Sequence, residues 1–401
     1  MNRSASRYTA FLVVIVLSAS GFTEERVLNF VPEEIIQADG NDIVVPGYSV
    51  PSFVDWNNDG LQDLVVGEGG VTGTVAPGKV RVYLNVGTEQ EPRFKDHFCV
   101  RTPGQDLTLT PDGCMGCFPR VVDWDEDGRK DLLVGLSDGT VRIYRNLHDA
   151  NDPWFDSGKN LRVGLTSAAP DLDVGLRATP IVVDWNSDGM LDVVVGGWDG
   201  LIHVFENCGC GGSVPPRFSL TVPAGVAVQE NGHNLVVPSV RSSPVVMDLD
   251  GDGKKDLLTG NTNGQILFYR NVGTDSLPAF SGYTLVQSDG KPIDLPGAQR
   301  SRPFVCHWTG DGHFGPKDAS WDLLVGYGDG KIRLYRGIPM GDLNGDGVVD
   351  DADLTILVEA LDKPVPVGGS PGDLNHDGVV DILDLRLFTD LWLAEHAADK
   401  N

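Results

Sequence analysis

The sequence predicts an all-β protein of repeated four-stranded units that ends in a small α-helical module. Three observations predict it. Six short stretches read Asp-x-[Asp/Asn]-x-Asp-Gly-x-x-Asp: four start at Asp55, Asp123, Asp184 and Asp248, roughly one per 60–70 residues, and two at Asp342 and Asp373, 31 residues apart. The first four sit inside a longer repeat, with Pro-x-Val-x-Asp leading into the loop, Asp-Leu-Leu-Val-Gly leaving it and Gly-x-Val-x-x-Tyr-x-Asn after that. Finally, 401 residues with Gly 50 and Pro 25 make a turn-rich chain, long enough for a sizeable core and for more than one domain.

Residues 1–20 read as a signal peptide: Arg3 and Arg7 are its positive end, Ala10–Leu17 its apolar run and Ser18-Ala19-Ser20 its small-residue cleavage site. The apolar run is too short to span a bilayer. Export places the chain outside the cell or in the periplasm. Residues 27–337 hold the repeats. Pro119–Asp123, Asp131–Gly135 and Gly139–Asn146 form one copy, and Pro180–Asp184, Asp192–Gly196 and Gly200–Asn207 the next. Short β-branched and aromatic runs bounded by Gly, Pro, Asn and Asp are strands, four per repeat. A Phe-led segment such as Pro92-Arg93-Phe94 or Pro278-Ala279-Phe280 supplies the last of them.

A fifth repeat runs from Pro303 to Arg336 with a decayed loop, in which His307, Thr309 and Asp311 replace the acidic positions. This copy is expected to bind metal poorly or not at all. Four-stranded repeats of this length pack radially as propeller blades. The reading is therefore a five-bladed β-propeller of antiparallel blades, closed by the N-terminal strand Val27–Phe30 as the missing outer edge of the last blade. Residues 341–395 differ. Two twelve-residue loops, Asp342–Asp353 and Asp373–Asp384, each run into apolar residues at helical spacing (Leu354, Ile356, Leu357, Leu361; then Leu385, Leu387, Phe388, Leu391). They are two half EF-hands joined by the Pro/Gly-rich stretch Pro364–Pro371.

The loop pattern is calcium chemistry. Alternate residues of a tight turn aim side-chain oxygens at one point, a glycine at position 6 permits the bend, and position 7 offers its carbonyl. The expected ligands are Asp55, Asn57, Asp59, Asp63 with the Leu61 carbonyl; Asp123, Asp125, Asp127, Asp131 with Arg129; Asp184, Asn186, Asp188, Asp192 with Met190; and Asp248, Asp250, Asp252, Asp256 with Lys254. In the tail they are Asp342, Asn344, Asp346, Val348, Asp350, Asp353 and Asp373, Asn375, Asp377, Val379, Asp381, Asp384. That is four Ca²⁺ in the propeller and two in the tail. The formal charge of −26 then has an address: the loops hold 22 of the acidic residues, and six Ca²⁺ would leave about −14. A nucleic-acid partner is excluded, since no Lys/Arg patch could neutralise phosphates.

On these motifs the repeats resemble the FG-GAP/VCBS family, whose propellers also form integrin α-subunit heads. The resemblance covers about three quarters of the chain and departs in blade count and in the fifth loop. It implies that ligands meet the face opposite the calcium loops. The tail resembles a type I dockerin, which implies a cohesin-like protein partner. Asp at loop position 12 agrees with that family. Positions 10 and 11, which bear on cohesin choice, are Asp351-Ala352 in one copy and Ile382-Leu383 in the other, an asymmetry that argues against two-way docking.

Three residues before each repeat proline stand Tyr48, Gly116, Arg177, Arg241 and Arg300, on the face opposite the loops. Guanidinium groups there suit carboxylate or sulfate, and Trp198 and Tyr327 are candidates for stacking on sugar rings. These six side chains, Gly116 apart, form the expected ligand site for carbohydrate or protein. The alternative is that the arginines bond neighbouring backbone carbonyls. Trp56, Trp124, Trp185 and Trp308 recur after the first loop position, which reads as packing between blades.

The six cysteines suggest disulfides in an exported chain, with 15 connectivities open. Cys99 with Cys114 or Cys117 is the favoured pair. A zinc site of His97, Cys99, Cys114 and Cys117 is the alternative. No nucleophile elbow, HExxH, phosphate loop or dinucleotide fingerprint is present. The function expected is a secreted, non-catalytic, calcium-binding propeller that binds carbohydrate or protein through a tethered scaffold. The alternative is an extracellular polysaccharide-active lyase or glycoside hydrolase.

Overall fold

The computed structural model describes residues 28–69, 77–109, 117–149, 152–164, 166, 168–209, 225–294, 299–308, 321–338, 341–344, 349–361, 363, 372–374 and 379–398. The expected signal peptide, residues 1–20, lies outside them, as do Cys114, Cys210, Thr309 and Asp311. The chain is mostly β, with two α-helices, Asp351–Ala360 and Ile382–Ala398. No helix of the described residues is long and apolar enough to cross a membrane.

Five four-stranded antiparallel sheets recur along the described chain. Sheet 1 is Ser49–Val54, Asp63–Glu68, Val80–Tyr83 and Phe98–Cys99. Sheet 2 is Phe118–Val122, Asp131–Gly135, Val141–Tyr144 and Lys159–Asn160. Sheet 3 is Thr179–Val183, Asp192–Gly196, Ile202–Phe205 and Val226–Ala227. Sheet 4 is Ser243–Met247, Asp256–Gly260, Ile266–Tyr269 and Thr284–Leu285. Sheet 5 takes Arg302–Cys306, Asp322–Gly326 and Ile332–Tyr335, and borrows Glu34–Ile35 from the start of the chain.

The first strands touch one another in cyclic order, sheet 1 to 2 to 3 to 4 to 5 and back to 1, which gives the molecule a propeller-like arrangement. Every residue of every second strand is buried. That burial on both faces is why these strands read as unbroken apolar runs rather than as an alternating pattern. The glycine in the Asp-Leu-Leu-Val-Gly signature has a steric reason. A Cβ on Gly67, Gly135, Gly260 or Gly326 would stand 2.1–2.3 Å from a backbone carbonyl oxygen of the next sheet (Cys117, Ala178, Ser301 and Ser49). The last of these contacts joins sheet 5 to sheet 1.

The ring closes by a different strand from the one expected. Glu34–Ile35, not Val27–Phe30, lies antiparallel to Ile332–Tyr335, with Glu34 opposite Leu334 and Ile35 opposite Arg333. Asn29–Phe30 pairs in parallel with Gln287–Ser288 instead, and Val27 lies outside the described residues. Side chains explain the shift. Phe30 is buried among Val286, Ile293 and Tyr335, between sheets 4 and 5. Past it, Glu33 meets Arg333 and Tyr335 Oη at 3.3 and 2.9 Å, and Glu34 meets Arg336 at 3.1 Å.

A buried aspartate holds each sheet together. The carboxylate that opens each second strand (Asp63, Asp131, Asp192, Asp256 or Asp322) accepts two backbone N–H bonds. One comes from the residue after the first loop position (Trp56, Trp124, Trp185, Leu249, Trp308) at 2.7–3.2 Å. The other comes from the end of the third strand (Asn85, Asn146, Asn207, Asn271, Gly337) at 2.7–2.9 Å. The asparagine then continues the network: Asn85 Oδ1 accepts from Gly87 and Arg93, and Asn146 Oδ1 from His148 and Trp154. That is the local reason for the Tyr-x-Asn signature.

Short hairpins follow the sheets, and the sequence reading omitted them. Gln37–Ala38 with Asn41–Asp42, Gln229–Glu230 with His233–Asn234, and Gln287–Ser288 with Lys291–Pro292 turn through Asp39-Gly40, Asn231-Gly232 and Asp289-Gly290, all at positive φ. These are the Asx-Gly turns that suit two-residue hairpins.

The two helices share a separate small core of Val349, Leu357, Leu374, Val380 and Phe388. Asp350 caps the first of them in a capping box with Asp353. The favoured cysteine pairing is corrected: Cys99, Cys117 and Cys306 are free thiols, while Cys208 is disulfide-bonded. Cys117 donates to the Lys79 and Glu68 carbonyls at 3.0 and 3.5 Å, and burial pushes its thiol up to about 12. His97 packs on the Tyr83 ring at 5.1 Å, and Cys114 of the zinc alternative lies outside the described residues.

Because Asp322 keeps both backbone bonds beside a decayed loop, the clamp is expected to act without metal. Asp322→Ala and Asp131→Ala should each lower folding stability by about 2–4 kcal/mol, since two buried N–H groups lose their acceptor. Urea unfolding checks this; an Asp322→Ala protein as stable as the parent would exclude the clamp.

Candidate metal centres

The four long-repeat loops share one backbone design. The position-6 glycine N–H donates to the position-1 carboxylate: Gly60 to Asp55, Gly128 to Asp123, Gly189 to Asp184 and Gly253 to Asp248, at 2.9–3.2 Å. The position-7 N–H donates to the position-5 carboxylate in all four, at 2.9–3.0 Å. Positions 4 and 6 both adopt positive φ, as at Glu126 (52°) and Gly128 (83°). The turn this makes folds alternate side chains inward.

Two loops gather their carboxylates most tightly. One ligand oxygen each from Asp123, Asp125 and Asp127, and likewise from Asp248, Asp250 and Asp256, lie within 4.8 Å of one another. Among the described residues, Asp55 Oδ1 and Asp125 Oδ1 are buried with no hydrogen-bond partner. A buried carboxylate oxygen without a partner is costly unless a cation satisfies it. The donor set is all oxygen, which fits a hard divalent cation. The same residues therefore fit the ion that the sequence pattern implies.

The loops fall into two charge classes. Asp125 and Asp127 are met by Arg145 and Arg129, the former at 3.0 Å. Asp250 and Asp252 are met by Arg270 at 2.8 and 3.2 Å, and Asp252 also by Lys254 at 3.1 Å. The loops with Asn at position 3 have Leu61 and Leu84, or Met190 and Glu206, at the equivalent places. Each instead receives one lysine from the next sheet. Lys130 bonds Asn58 Oδ1, and Lys255 bonds the Asp184 carbonyl and Ser187 Oγ at 2.5 and 2.7 Å.

In the tail, Asp353 is fully buried and accepts from the Leu343, Asn344 and Asp350 N–H groups at 2.7, 3.0 and 2.9 Å. Asp384 is equally buried and accepts from Asp381 N–H at 2.8 Å. Asp346, Val348, Asn375 and Asp377 lie outside the described residues.

The expected ligand-face residues separate. Trp198 is half-exposed and Arg241 stacks over its ring at 3.7 Å. Arg300 lies over Tyr48 at 4.6 Å. Arg177 is fully buried, bonds Ser242 O and Ser243 Oγ at 2.9 and 3.0 Å, and lies over Phe118 at 4.8 Å. Tyr327 is also fully buried, so it offers no ring face to a sugar. Sequence reasoning missed Arg120 and Arg302, whose guanidinium groups join this set through Phe304, Tyr48 and Phe118. Their position on the first strands was the available signal. The four tryptophans pack between sheets as expected, Trp308 against Phe53 at 4.6 Å and Trp56 against Phe155 at 5.7 Å.

No protein-family model matches the chain, and no curated protein matches it. Solved structures do. A GH43_1 enzyme from Xanthomonas citri aligns with TM-score 0.43 and 11% identity over 77% of this chain and 90% of that one. BBS1N, solved in complex with ARL6DN, aligns with TM-score 0.32 and 16% identity over 78% and 97%. The Tc holotoxin pore of Photorhabdus luminescens aligns with TM-score 0.36 and 14% identity over 78% of this chain, which spans 15% of that protein's length. With TM-scores of 0.32–0.43, none of these alignments assigns this chain a role.

Burial, reinforced by neighbouring loop carboxylates, pushes Asp63, Asp131 and Asp192 up to about 6 and Asp256 up to about 7. The metal-free folded state thus holds protons that the unfolded chain has released. Their stabilising effect is full below about pH 4 and fades as pH rises through 6–7. Metal-free protein should therefore show a lower urea midpoint at pH 8 than at pH 5.5; a higher one would contradict this assignment.

Proposed function

We propose that this chain is a secreted, calcium-binding, non-catalytic five-bladed propeller of the FG-GAP/VCBS type. It binds carbohydrate or protein and is tethered through a dockerin-like tail, residues 341–395, to a cohesin-like partner. The observation that carries the calcium reading is the recurrence of one loop in four sheets, with buried carboxylate oxygens at Asp55 and Asp125 that lack a protein donor. Position 9 belongs to both structure and metal: its two oxygens take backbone N–H bonds, and each retains a lone pair for an ion. Calcium bound only by the folded state stabilises by linkage. Four divalent ions would also neutralise carboxylates that otherwise repel one another within single turns.

The half-exposed Trp198 with its stacked Arg241 is the side-chain pair that favours a ligand on the face opposite the loops. In the tail, the head of the second helix exposes Ile382 (68%) and Leu383 (53%), while the equivalent residues of the first helix are Asp351 and Ala352. An apolar pair at one helix head and an Asp-Ala pair at the other supports docking in a single orientation.

Calcium at about a hundred times its dissociation constant should stabilise the folded protein by about 2.7 kcal/mol per site, read as a rise in melting temperature that EDTA reverses. Melting curves that superimpose in calcium and EDTA would sink the calcium reading. For the tail, binding to a panel of immobilised cohesin modules should be lost with Ile382→Asp/Leu383→Asp and retained with Asp351→Ala. Equal loss in both variants would argue against one-sided docking, and no binding by the parent chain would remove the cohesin-like partner.

A further inference from the structure

The arginines around the first strands pose a charge problem that calcium does not address. Arg302 opens the first strand of sheet 5 and Arg120 is the third residue of that in sheet 2; Arg177, Arg241 and Arg300 stand just before the first strands of sheets 3, 4 and 5. Aromatic rings connect four of them, while Arg241 lies over Trp198 instead. Arg300 and Arg302 both lie over Tyr48, at 4.6 and 4.5 Å, and Arg302 and Arg177 both lie over Phe118, at 5.7 and 4.8 Å. Arg120 lies over Phe304, two residues from Arg302, at 5.4 Å, and also bonds Ser52 Oγ of sheet 1. Three sheets therefore send guanidinium groups onto the same few rings.

None of the five first strands contains an acidic residue: their sequences are SVPSFV, FPRVV, TPIVV, SPVVM and RPFVC. Glu68, on the second strand of sheet 1, is held by Arg81 at 2.6 Å. Burial, and after it the positive charges of Arg302 and Arg241, push Arg177 well below the ordinary arginine range. Arginine nonetheless stays protonated in proteins, so the like charges must be balanced. Among the described residues, Arg120 Nε and Arg300 Nε are buried without a hydrogen-bond acceptor.

We infer that the axis of the ring binds a small oxyanion (sulfate, phosphate or a simple carboxylate) that accepts from Arg120 and Arg300 and balances the charge of Arg120, Arg177 and Arg300. Planar guanidinium forks suit tetrahedral or carboxylate oxygens. Size is set by burial. Arg177 and Arg302 are 1% and 2% exposed, which excludes a polysaccharide chain, whereas Arg300 is partly exposed and leaves a way in. The inference does not depend on calcium, and it separates Arg120, Arg177 and Arg300 from the glycan or protein surface at Trp198 and Arg241.

The test uses the full chain. Protein desalted into an oxyanion-free buffer is denatured, and the released anions are measured by ion chromatography, which identifies sulfate, phosphate or carboxylate as the native occupant. In parallel, the melting temperature is followed against sodium sulfate, sodium phosphate and sodium acetate, with sodium chloride at matched ionic strength. The expected result is about one oxyanion released per chain, or a saturable rise of several degrees that chloride does not reproduce. Arg120→Met should abolish retention and flatten the titration. It should also melt higher than the parent in oxyanion-free buffer, because one repelling charge is gone. No retained oxyanion together with only a linear, unsaturable sulfate effect would overturn the proposal. So would an Arg120→Met protein whose melting point is lowered equally with and without oxyanion. EDTA is included throughout, so failure here is distinguishable from failure of the calcium reading.

Discussion

The architecture depends on a carboxylate that never reaches solvent. In each sheet the aspartate at the start of the second strand ties the loop after the first strand to the turn after the third, through two backbone N–H bonds. Without it two buried donors per sheet would be orphaned, and the loop could drift away from the strand ends. The second strand can then be wholly apolar, because its polar anchor sits at its first residue. Its fifth residue is a glycine, and in sheets 1, 2, 4 and 5 the neighbouring sheet's backbone comes too close there for any side chain. One five-residue signature thus encodes a polar clamp at one end, a two-faced core in the middle and a sheet-to-sheet contact at the other end.

The acidic loops are built on that clamp. The first and last acidic positions of the loop flank a turn whose backbone N–H groups already point at the position-1 and position-5 carboxylates. These bonds pre-organise the carboxylates but also concentrate like charge. The protein answers locally and in two ways. Where position 3 is Asp, two basic side chains from the same sheet meet the loop; where it is Asn, one lysine arrives from the next sheet. An added carboxylate is matched by an added cation, so the charge left for an ion varies less between loops than the residues do.

Much of this was legible because the repeats compare the chain with itself. The four strands per repeat, the apolar second strand and the packing role of the tryptophans follow from periodic residues whose burial repeats. The ring-closing strand was misplaced because Val27–Phe30 and Glu34–Ile35 are similarly short. What separates them is a buried Phe30 and ion pairs from Glu33 and Glu34 to Arg333 and Arg336, contacts about 300 residues away in sequence. The Asx-Gly hairpins carried a readable turn signal that the larger repeat obscured. Cys99 and Cys117 are close in sequence but held apart by different demands, since Cys117 is drawn into backbone hydrogen bonds with sheet 1. Tyr327 could be placed on a hairpin but not at a depth, because depth depends on the neighbouring sheet.

The same topology segregates charge. In sheets 1–4 the first strand has an acidic loop at its C-terminal end, and in sheets 3–5 an arginine stands at or just before its N-terminal end. A strand of five residues spans about 17 Å, roughly twice the screening length of about 8 Å at physiological salt. The acidic loops therefore cannot serve as counter-ions for the guanidinium groups across the strand, however large the total negative charge. Backbone conformation adds weight to the arginine end. Arg177, Arg241 and Arg300 all adopt positive φ, at 58°, 61° and 75°. That geometry costs a non-glycine residue about 1–2 kcal/mol, and glycine would adopt it freely. Three successive repeats keep an arginine there, so the side chain must return more than the strain. A cation stacked on an aromatic ring recovers part of it, and a shared counter-ion at the axis accounts for keeping the charge at Arg177 and Arg300.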